Sequence, residues 1–241
     1  MNFEDIIDLA EAGNTDAMVA AIQEFVWSEH ISIEIDENIM EKIAEYLDRA
    51  IQAGNIDAVN QLAAMYAEGR IVDKNPKQAF ILYKKASEKG HVLATCNLGF
   101  CYMYGNGTEQ NYEEAFKAFS KAASLDDGDA IVRLGDMYMN GWYVSKDLSM
   151  AFCCYEKARR LAIRNLKDLG MQQVYSDTVY RLGNCYFEGI GVEKDVYMAI
   201  KYYGDALYYF NLREKKGDSY SAKGYQQTLN RLTEALSCIS H

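Results

Sequence analysis

The chain has 241 residues, of which 49% are apolar, and it contains one proline and 17 glycines. This composition supports a large folded core, favours helices over a many-stranded β fold and excludes an intrinsically disordered chain. The 35 acidic and 25 basic side chains leave a formal net charge of −10, which argues against a nucleic acid or an anionic membrane as the main partner.

The opening segment, MNFEDIIDLAEAGNTDAM, lacks the basic start and the long apolar core of a secretory signal. No stretch reaches the roughly 18 apolar residues that a membrane span needs. The six cysteines form no CxxC pair, which in a chain without an export signal favours reduced thiols over disulfides. The sequence therefore predicts a cytoplasmic protein that does not insert into a membrane.

The first predicted elements are an N-terminal cap helix at residues 1–13 and a divergent two-helix repeat at residues 14–56. The segment GNTDA at Gly13–Ala17 resembles GNIDA at Gly54–Ala58. The divergent repeat carries a long inner loop, HISIEIDENIM. We expect the first and last parts of such an array to differ from the inner repeats, because one of their faces meets water.

Four clear repeats follow, at residues 57–92, 93–128, 129–176 and 177–218. Each contains a leucine, a tyrosine four residues later and a glycine three residues after that tyrosine. The leucines are Leu62, Leu98, Leu134 and Leu182, and the glycines are Gly69, Gly105, Gly141 and Gly189. The leucines are separated by 36, 36 and 48 residues, so the third repeat carries an insertion of 12.

Each repeat is predicted to fold as two helices. The first carries an apolar stripe at helical spacing, such as Ala94, Leu98 and Tyr102, and ends at the repeat's glycine. The second begins at a residue that caps helices well: Asn75, Asn111, Asp147 or Asp195. Glycines also lie inside three of the first helices, at Gly99, Gly135 and Gly183. Since glycine is unfavourable there, it predicts a facing helix too close for a β-carbon.

The insertion, around RRLAIRNLKDLGMQQVYSD, is predicted to lengthen a helix pair by a few turns. Its basic residues Arg159, Arg160, Arg164 and Lys167 form a local patch, which is either a docking surface for an acidic segment or an ordinary solvated helix face. The adjacent Cys153 and Cys154 point about 100° apart on a helix, so we interpret them as buried small side chains rather than metal ligands. A C-terminal capping helix is expected at residues 219–241.

The repeat resembles the Sel-one-like repeat family, a relative of the tetratricopeptide repeat. The resemblance is carried by LGFCYMYGNGTEQNYEEAFKAFSKAA, LGDMYMNGWYVSKDLSMAFCCYEKA and LGNCYFEGIGVEKDVYMAIKYYGDA. It implies an all-α, right-handed α-α superhelix, or solenoid, in which residues 1–241 form a single domain. It also implies that the first helix of each repeat lines a concave face.

If the leucines pack inward, the residues one before and two after each leucine face the concave side, beside an apolar row one turn further. These residues, the predicted partner-binding set, are Gln61, Ala64, Asn97, Phe100, Met103, Arg133, Asp136, Met139, Arg181, Asn184 and Phe187. Amides can hold a peptide backbone, arginine a carboxylate, and methionine or phenylalanine an apolar anchor. The alternative interpretation is that they are ordinary helix positions.

Motifs for catalysis are lacking. The sequence contains no HExxH, P-loop, GxSxG or dinucleotide fingerprint, and His30, His91 and His241 lie far apart in it. We therefore expect a non-enzymatic scaffold with a peptide or protein partner, no cofactor and no metal, and of undetermined oligomeric state. Two alternatives stay open: a hydrolase of the β-lactam type, a role linked to some cysteine-rich family members, and an effector or toxin-neutralising binding protein.

Overall fold

The computed structural model describes residues 3–27, 37–216, 218 and 221–239. Its α-helices are α1 (Phe3–Glu11), α2 (Thr15–Trp27), α3 (Glu37–Gln52), α4 (Ile56–Glu68), α5 (Pro76–Glu88), α6 (Val92–Tyr104), α7 (Tyr112–Ala123), α8 (Gly128–Asn140), α9 (Leu148–Ala162), α10 (Leu169–Glu188), α11 (Val196–Glu214) and α12 (Ser221–Ser237). A short 3-10 helix, Ile163–Asn165, follows α9. No strand occurs among these residues, so the predicted all-α fold of two-helix repeats is confirmed.

The chain forms two compact units, residues 1–118 and 119–241. In the first unit each helix from α1 to α6 packs against the next, and α2 also contacts α4. In the second unit each helix from α8 to α12 packs against the next, and α10 also contacts α8 and α12. First helices of successive repeats therefore contact each other where α2 meets α4 and where α8 meets α10.

The predicted helix ends are confirmed by hydrogen bonds and backbone angles. The Oδ1 atom of Asp195 accepts from the backbone N–H of Met198 at 3.0 Å, and Asn75, Asn111 and Asp147 cap their helices in the same way. The first helices α4, α6, α8 and α10 end at Gly69, Gly105, Gly141 and Gly189, all in the left-handed conformation.

The glycines inside the first helices face an aromatic ring. A β-carbon on Gly135 would lie 2.6 Å from Cε1 of Tyr155, and one on Gly183 would lie 2.5 Å from Cε1 of Tyr203. Both tyrosines belong to the second helix of the same repeat. The predicted close approach is therefore confirmed at these two positions, and a tyrosine ring makes the contact.

Aromatic contacts join consecutive repeats. Tyr102 of α6 packs edge-on against Phe80 of α5, with ring centroids 5.3 Å apart. Tyr186 of α10 contacts Phe152 of α9 in the same way at 5.6 Å. The tyrosine four residues after the repeat's leucine thus packs against the second helix of the preceding repeat, as expected for edge-to-face aromatic pairs.

The insertion in the third repeat lengthens the helices around it, as the sequence predicts. α10 has 20 residues and α11 has 19, whereas α4, α6 and α8 have 13 each. At the N-terminus, α1, α2 and α3 surround a buried cluster that includes Ile22, Ile43 and Tyr46. Residues 30–36 of the predicted inner loop lie outside the described residues. Over the part of the chain that is described, no helix is both long and apolar enough to cross a membrane.

Candidate binding site

The predicted partner-binding residues lie on α4, α6, α8 and α10, the first helices of the four clear repeats. In the second unit their charged members bind one another. Arg181 donates from Nε to Oδ1 of Asp136 at 2.8 Å and from Nη2 to Oδ2 at 3.0 Å. Arg133 donates to Oδ2 of Asp136 at 3.0 Å, and the Tyr155 hydroxyl donates to its Oδ1 at 2.9 Å. The arginines predicted to hold a partner's carboxylate thus already hold one from this chain.

The pKa values of the carboxyl groups here shift in opposite directions. Burial alone would raise the pKa of Asp136, but the charges and hydrogen bonds of Arg181 and Arg133 outweigh it and hold the pKa below its ordinary value. Burial and the nearby Asp127 raise the pKa of Asp129 to about 6. Burial also raises the pKa of Asp177. Asp136 is therefore the stably ionised member of this group.

Asn184 repeats this arrangement one repeat later. Its Oδ1 accepts from the Tyr203 hydroxyl at 2.8 Å and from Nε of Arg231 at 3.2 Å. In both cases an acceptor two residues after the leucine binds a tyrosine hydroxyl from the second helix of its repeat and an arginine from the helix that follows, α10 for Asp136 and α12 for Asn184. We call this three-residue arrangement the inter-repeat bridge. The structure contains it as Tyr155–Asp136–Arg181 and as Tyr203–Asn184–Arg231.

The predicted apolar row is largely buried. Met103 is 2% exposed and Phe187 is 6% exposed, and the guanidinium of Arg231 lies 5.3 Å from the Phe187 ring centroid. Met139 is half-buried. Met103 and Phe187 thus contribute to helix packing, and contact between a partner and this row stays a prediction.

In the first unit, Gln61 also binds its own chain, because its Oε1 accepts from the Trp27 indole N–H at 2.9 Å. The Trp27 ring in turn lies under the guanidinium of Arg70, 4.7 Å from the ring centroid. Ala64 is half-buried. Gln61 therefore ties the first clear repeat to α2.

A cleft of about 260 Å³ opens in the first unit. Asn97 and Phe100, two of the predicted residues, line it from α6. Its other lining residues are Ala67, Lys74, Pro76, Ala79, Tyr83, Cys101 and Asn106. Phe100 stacks on the exposed Tyr104, with ring centroids 6.3 Å apart. This cleft is the candidate binding site, since its lining combines apolar side chains with amide side chains and one lysine.

Of the nine residues that line the cleft, the set predicted from the sequence contains only Asn97 and Phe100. The predicted set includes neither Tyr83 nor Lys74, which both line the cleft. A signal was available, because the acceptor position of this repeat holds Ala64, which cannot bind a tyrosine hydroxyl, whereas Asp136 and Asn184 can.

The basic patch of the insertion is partly engaged within the chain. Arg159 pairs with Glu156 at 3.0 Å, and Arg160 donates to the backbone oxygen of Glu156 at 3.2 Å. Arg160, Arg164 and Lys167 are exposed. Docking of an acidic segment on them stays a prediction.

The cysteines are free thiols. Cys96, Cys101 and Cys185 are buried, as expected of small core side chains, and burial raises the pKa of Cys101 to about 11. The expectation that Cys153 and Cys154 are both buried is wrong. Cys154 is half-buried and lies beside Gly135, whereas Cys153 is exposed, because adjacent helical residues cannot both face the same neighbouring helix.

Solved structures with the same fold come from several bacteria. A Sel1 repeat protein from Oxalobacter formigenes matches with a TM-score of 0.66 and 21% identity, covering 97% of this chain and 96% of that one. The protein c5321, a protective antigen of uropathogenic Escherichia coli with an SLR fold, matches with a TM-score of 0.57 and 22% identity. That match covers 97% of this chain, which spans 56% of the antigen.

The immunity protein Pa5087 from Pseudomonas aeruginosa matches with a TM-score of 0.54 and 19% identity, covering 92% of this chain and 81% of that one. At these identities the likeness concerns the fold. Comparison with curated proteins gives no significant match.

The family model of the Sel1 repeat matches residues 56–91, 92–127, 128–162 and 176–210. The first three matches contain the helix pairs α4–α5, α6–α7 and α8–α9, and the fourth lies within the longer pair α10–α11. The matched segments cover more than half of the chain, which therefore belongs to the Sel1 repeat family.

Proposed function

We propose that this chain is a non-enzymatic scaffold that binds a peptide or another protein, with the cleft of the first unit as the contact region. One observation carries the proposal: Asn97 and Phe100, which the family resemblance and the phase of the first helix together assign to the concave face, line a cleft in the structure. Sel1 repeats generally mediate protein–protein interaction, which supports the same reading. The six free thiols favour a location where thiols stay reduced, such as the cytoplasm.

The cleft of the first unit is more available to a partner than the charged residues of the second unit. Arg133, Asp136 and Arg181 bind one another, so a partner would have to break a partly buried ionic cluster to reach them. Among the described residues, the Asn97 side chain has no hydrogen-bond partner in the protein. Its amide can therefore bind a peptide backbone without breaking an existing contact.

The size of the cleft favours a peptide over a drug-sized ligand. Its volume of about 260 Å³ lies below the roughly 300–1,000 Å³ of most small-molecule pockets. It suits one or two side chains of a peptide, and the exposed Tyr104 beside it extends the apolar contact.

Affinity capture with mass spectrometry tests this function. The double variant Asn97→Ala with Phe100→Glu should lose a partner that the wild-type chain captures, because it removes the amide and places a charge on the apolar floor. The control is Tyr197→Ala, which changes a side chain that is 72% exposed in the second unit. Circular dichroism should show equal helicity for all three proteins, and equal capture by the cleft variant would contradict the proposal.

A further inference from the structure

Within a repeat, the residue types at two positions match each other. The first is the acceptor position of the inter-repeat bridge, two residues after the leucine, and the second is the aromatic residue of the second helix. Where the acceptor position holds Asp136 or Asn184, the aromatic residue is a tyrosine whose hydroxyl donates to it. Where it holds Phe100, the aromatic residue is Phe119, which has no hydroxyl.

The repeat at residues 57–92 departs from this pairing. It carries a tyrosine, Tyr83, but its acceptor position holds Ala64, whose methyl group accepts no hydrogen bond. Tyr83 is 5% exposed and lines the cleft, and its hydroxyl has no hydrogen-bond partner among the described protein residues. The hydroxyl oxygen itself is not fully buried, so it is accessible from the cleft and can donate to an acceptor from outside the chain.

The Tyr83 hydroxyl stays protonated and can therefore donate a hydrogen bond. Burial, with smaller effects from Cys101 and Glu68, raises the pKa of Tyr83 far above the neutral range, so the hydroxyl keeps its proton. The Glu68 carboxylate is the acidic neighbour that affects it, and that carboxylate pairs with Arg70 at 3.4 Å. This ion pair reduces the repulsion that Glu68 would exert on an anion in the cleft.

The second unit shows which group such a hydroxyl binds. There the Tyr155 hydroxyl and Nε of Arg181 donate to the same carboxylate oxygen of Asp136, at 2.9 and 2.8 Å. In the cleft, Asn97 stands at the sequence position that corresponds to Arg181, one residue before the leucine of the next repeat. The cleft therefore offers a hydroxyl and an amide as donors, where the chain itself supplies no carboxylate.

The lysine of the cleft supplies the positive charge that an anion needs. Lys74 is exposed, and it forms no ion pair among the described residues. Lys74 lines the same cleft as these two donors, and an ammonium group is suited to a carboxylate, because hydrogen bonds that involve an ionised group are roughly twice as strong as neutral ones.

We propose that Tyr83, Asn97 and Lys74 bind a carboxylate group of the partner, in the role that Asp136 plays for Tyr155 and Arg181. This inference rests on the proposed function and names the chemical group that its cleft recognises. The carboxylate comes from an acidic side chain or from the C-terminus of a peptide.

Isothermal titration with short synthetic peptides tests the proposal and separates the two sources. One probe carries a single glutamate between an acetylated N-terminus and an amidated C-terminus, and a second apolar probe has a free C-terminal carboxylate. The neutral control replaces the glutamate with glutamine and is amidated. We expect at least one acidic probe to bind about tenfold more tightly than the control. Equal or undetectable binding of all three peptides would overturn the proposal.

Variants assign the binding to the named residues. Tyr83→Phe removes only the hydroxyl, and Lys74→Gln changes only an exposed side chain; each should weaken the acidic probe about tenfold. The matched control Tyr155→Phe removes the equivalent hydroxyl of the second unit and should bind the probe as the wild type does. Unchanged binding by both Tyr83→Phe and Lys74→Gln would show that the carboxylate is held elsewhere.

A variant whose own side chain supplies the carboxylate gives an independent test. Ala64→Asp places a carboxylate at the acceptor position, so it should abolish binding of the acidic probe. The new side chain should also couple to Tyr83, so that Tyr83→Phe lowers the melting temperature more in the Ala64→Asp background than in the wild type. Full probe binding by a folded Ala64→Asp variant would contradict the proposal.

The two proposals can fail separately. If no probe binds but Asn97→Ala with Phe100→Glu still loses the captured partner, the carboxylate assignment is wrong and the scaffold function stands. If the acidic probe binds but the same double variant captures the partner fully, the cleft holds a carboxylate that is not the partner's.

Discussion

In the inter-repeat bridges of the second unit, one acceptor side chain binds several donors. Asp136 accepts from Arg133, Arg181 and Tyr155, and its pKa is lowered, so its ionised form stabilises the fold above about pH 4. That contribution is lost as the pH falls through its lowered pKa. Asp129 behaves oppositely, because a raised pKa means that the folded chain favours the protonated form.

The variant Asp129→Asn should therefore stabilise the chain at neutral pH. The penalty of ionised Asp129 is full above its folded pKa of about 6, and it disappears below the unfolded value of about 4. Because Asp129 is half-buried and partly screened by solvent, we expect a rise in melting temperature of about 2–4 °C at pH 7, vanishing near pH 4.

Thermal unfolding followed by circular dichroism between these pH values checks this expectation. Asp136→Asn serves as the control of opposite sign, since it should lower the melting temperature at pH 7. A melting temperature that Asp129→Asn leaves unchanged at pH 7 would show that burial of this carboxylate costs the fold nothing.

At the scale of helices, two glycines show whether a glycine is needed for close packing or only lowers helix propensity. Gly183 and Gly204 both lie inside long helices, α10 and α11. A β-carbon on Gly183 would lie 2.5 Å from the Tyr203 ring, whereas one on Gly204 would have no neighbour within 4 Å. The same substitution therefore tests packing at one site and helix propensity at the other.

Gly204→Ala should stabilise the protein by up to about 1 kcal/mol, because alanine has the higher helix propensity. Gly183→Ala should destabilise it by about 1–3 kcal/mol, because the Tyr203 ring must move out of its position. Urea unfolding measures both changes in free energy. Stabilisation by both substitutions would mean that Tyr203 does not fix the spacing of α10 and α11.

At the scale of the whole chain, the negative charge is concentrated near the N-terminus. Residues 1–56 contain 13 acidic and 2 basic side chains, and the remaining residues contain 22 acidic and 23 basic ones. Practically all of the net charge of −10 thus belongs to the segment that precedes the first clear repeat. Ion pairs such as Lys42 with Glu11 and Arg49 with Glu45 offset a small part of it.

Salt should therefore protect α1–α3 more than the helices that follow. Raising the salt concentration from about 10 mM to about 100 mM shortens the Debye length from about 30 Å to about 10 Å and weakens the repulsion among these carboxylates. We expect amide hydrogen exchange in α1–α3 to slow more than in α8–α11, which serve as the internal control. Equal changes in both regions would show that this charge does not destabilise the N-terminal helices.

The sequence by itself determined the repeats and the helix ends. The signals for these features lie within a few residues of each other: Asp195 caps α11 through the N–H of Met198, and Gly189 ends α10 with its own backbone angle. Their recurrence over four copies set the register of the array, and the family resemblance implied that the first helices, α4, α6, α8 and α10, carry the predicted site.

Only the tertiary structure decided which of the predicted residues remain available to a partner. The bridge between Asp136 and Arg181 joins residues 45 positions apart, and that between Asn184 and Arg231 joins residues 47 positions apart. Whether such side chains meet depends on how adjacent helices are spaced and on where each side chain points. For the same reason Met103 and Phe187 are buried and Cys153 is exposed, and an unpaired Tyr83 lines a cleft.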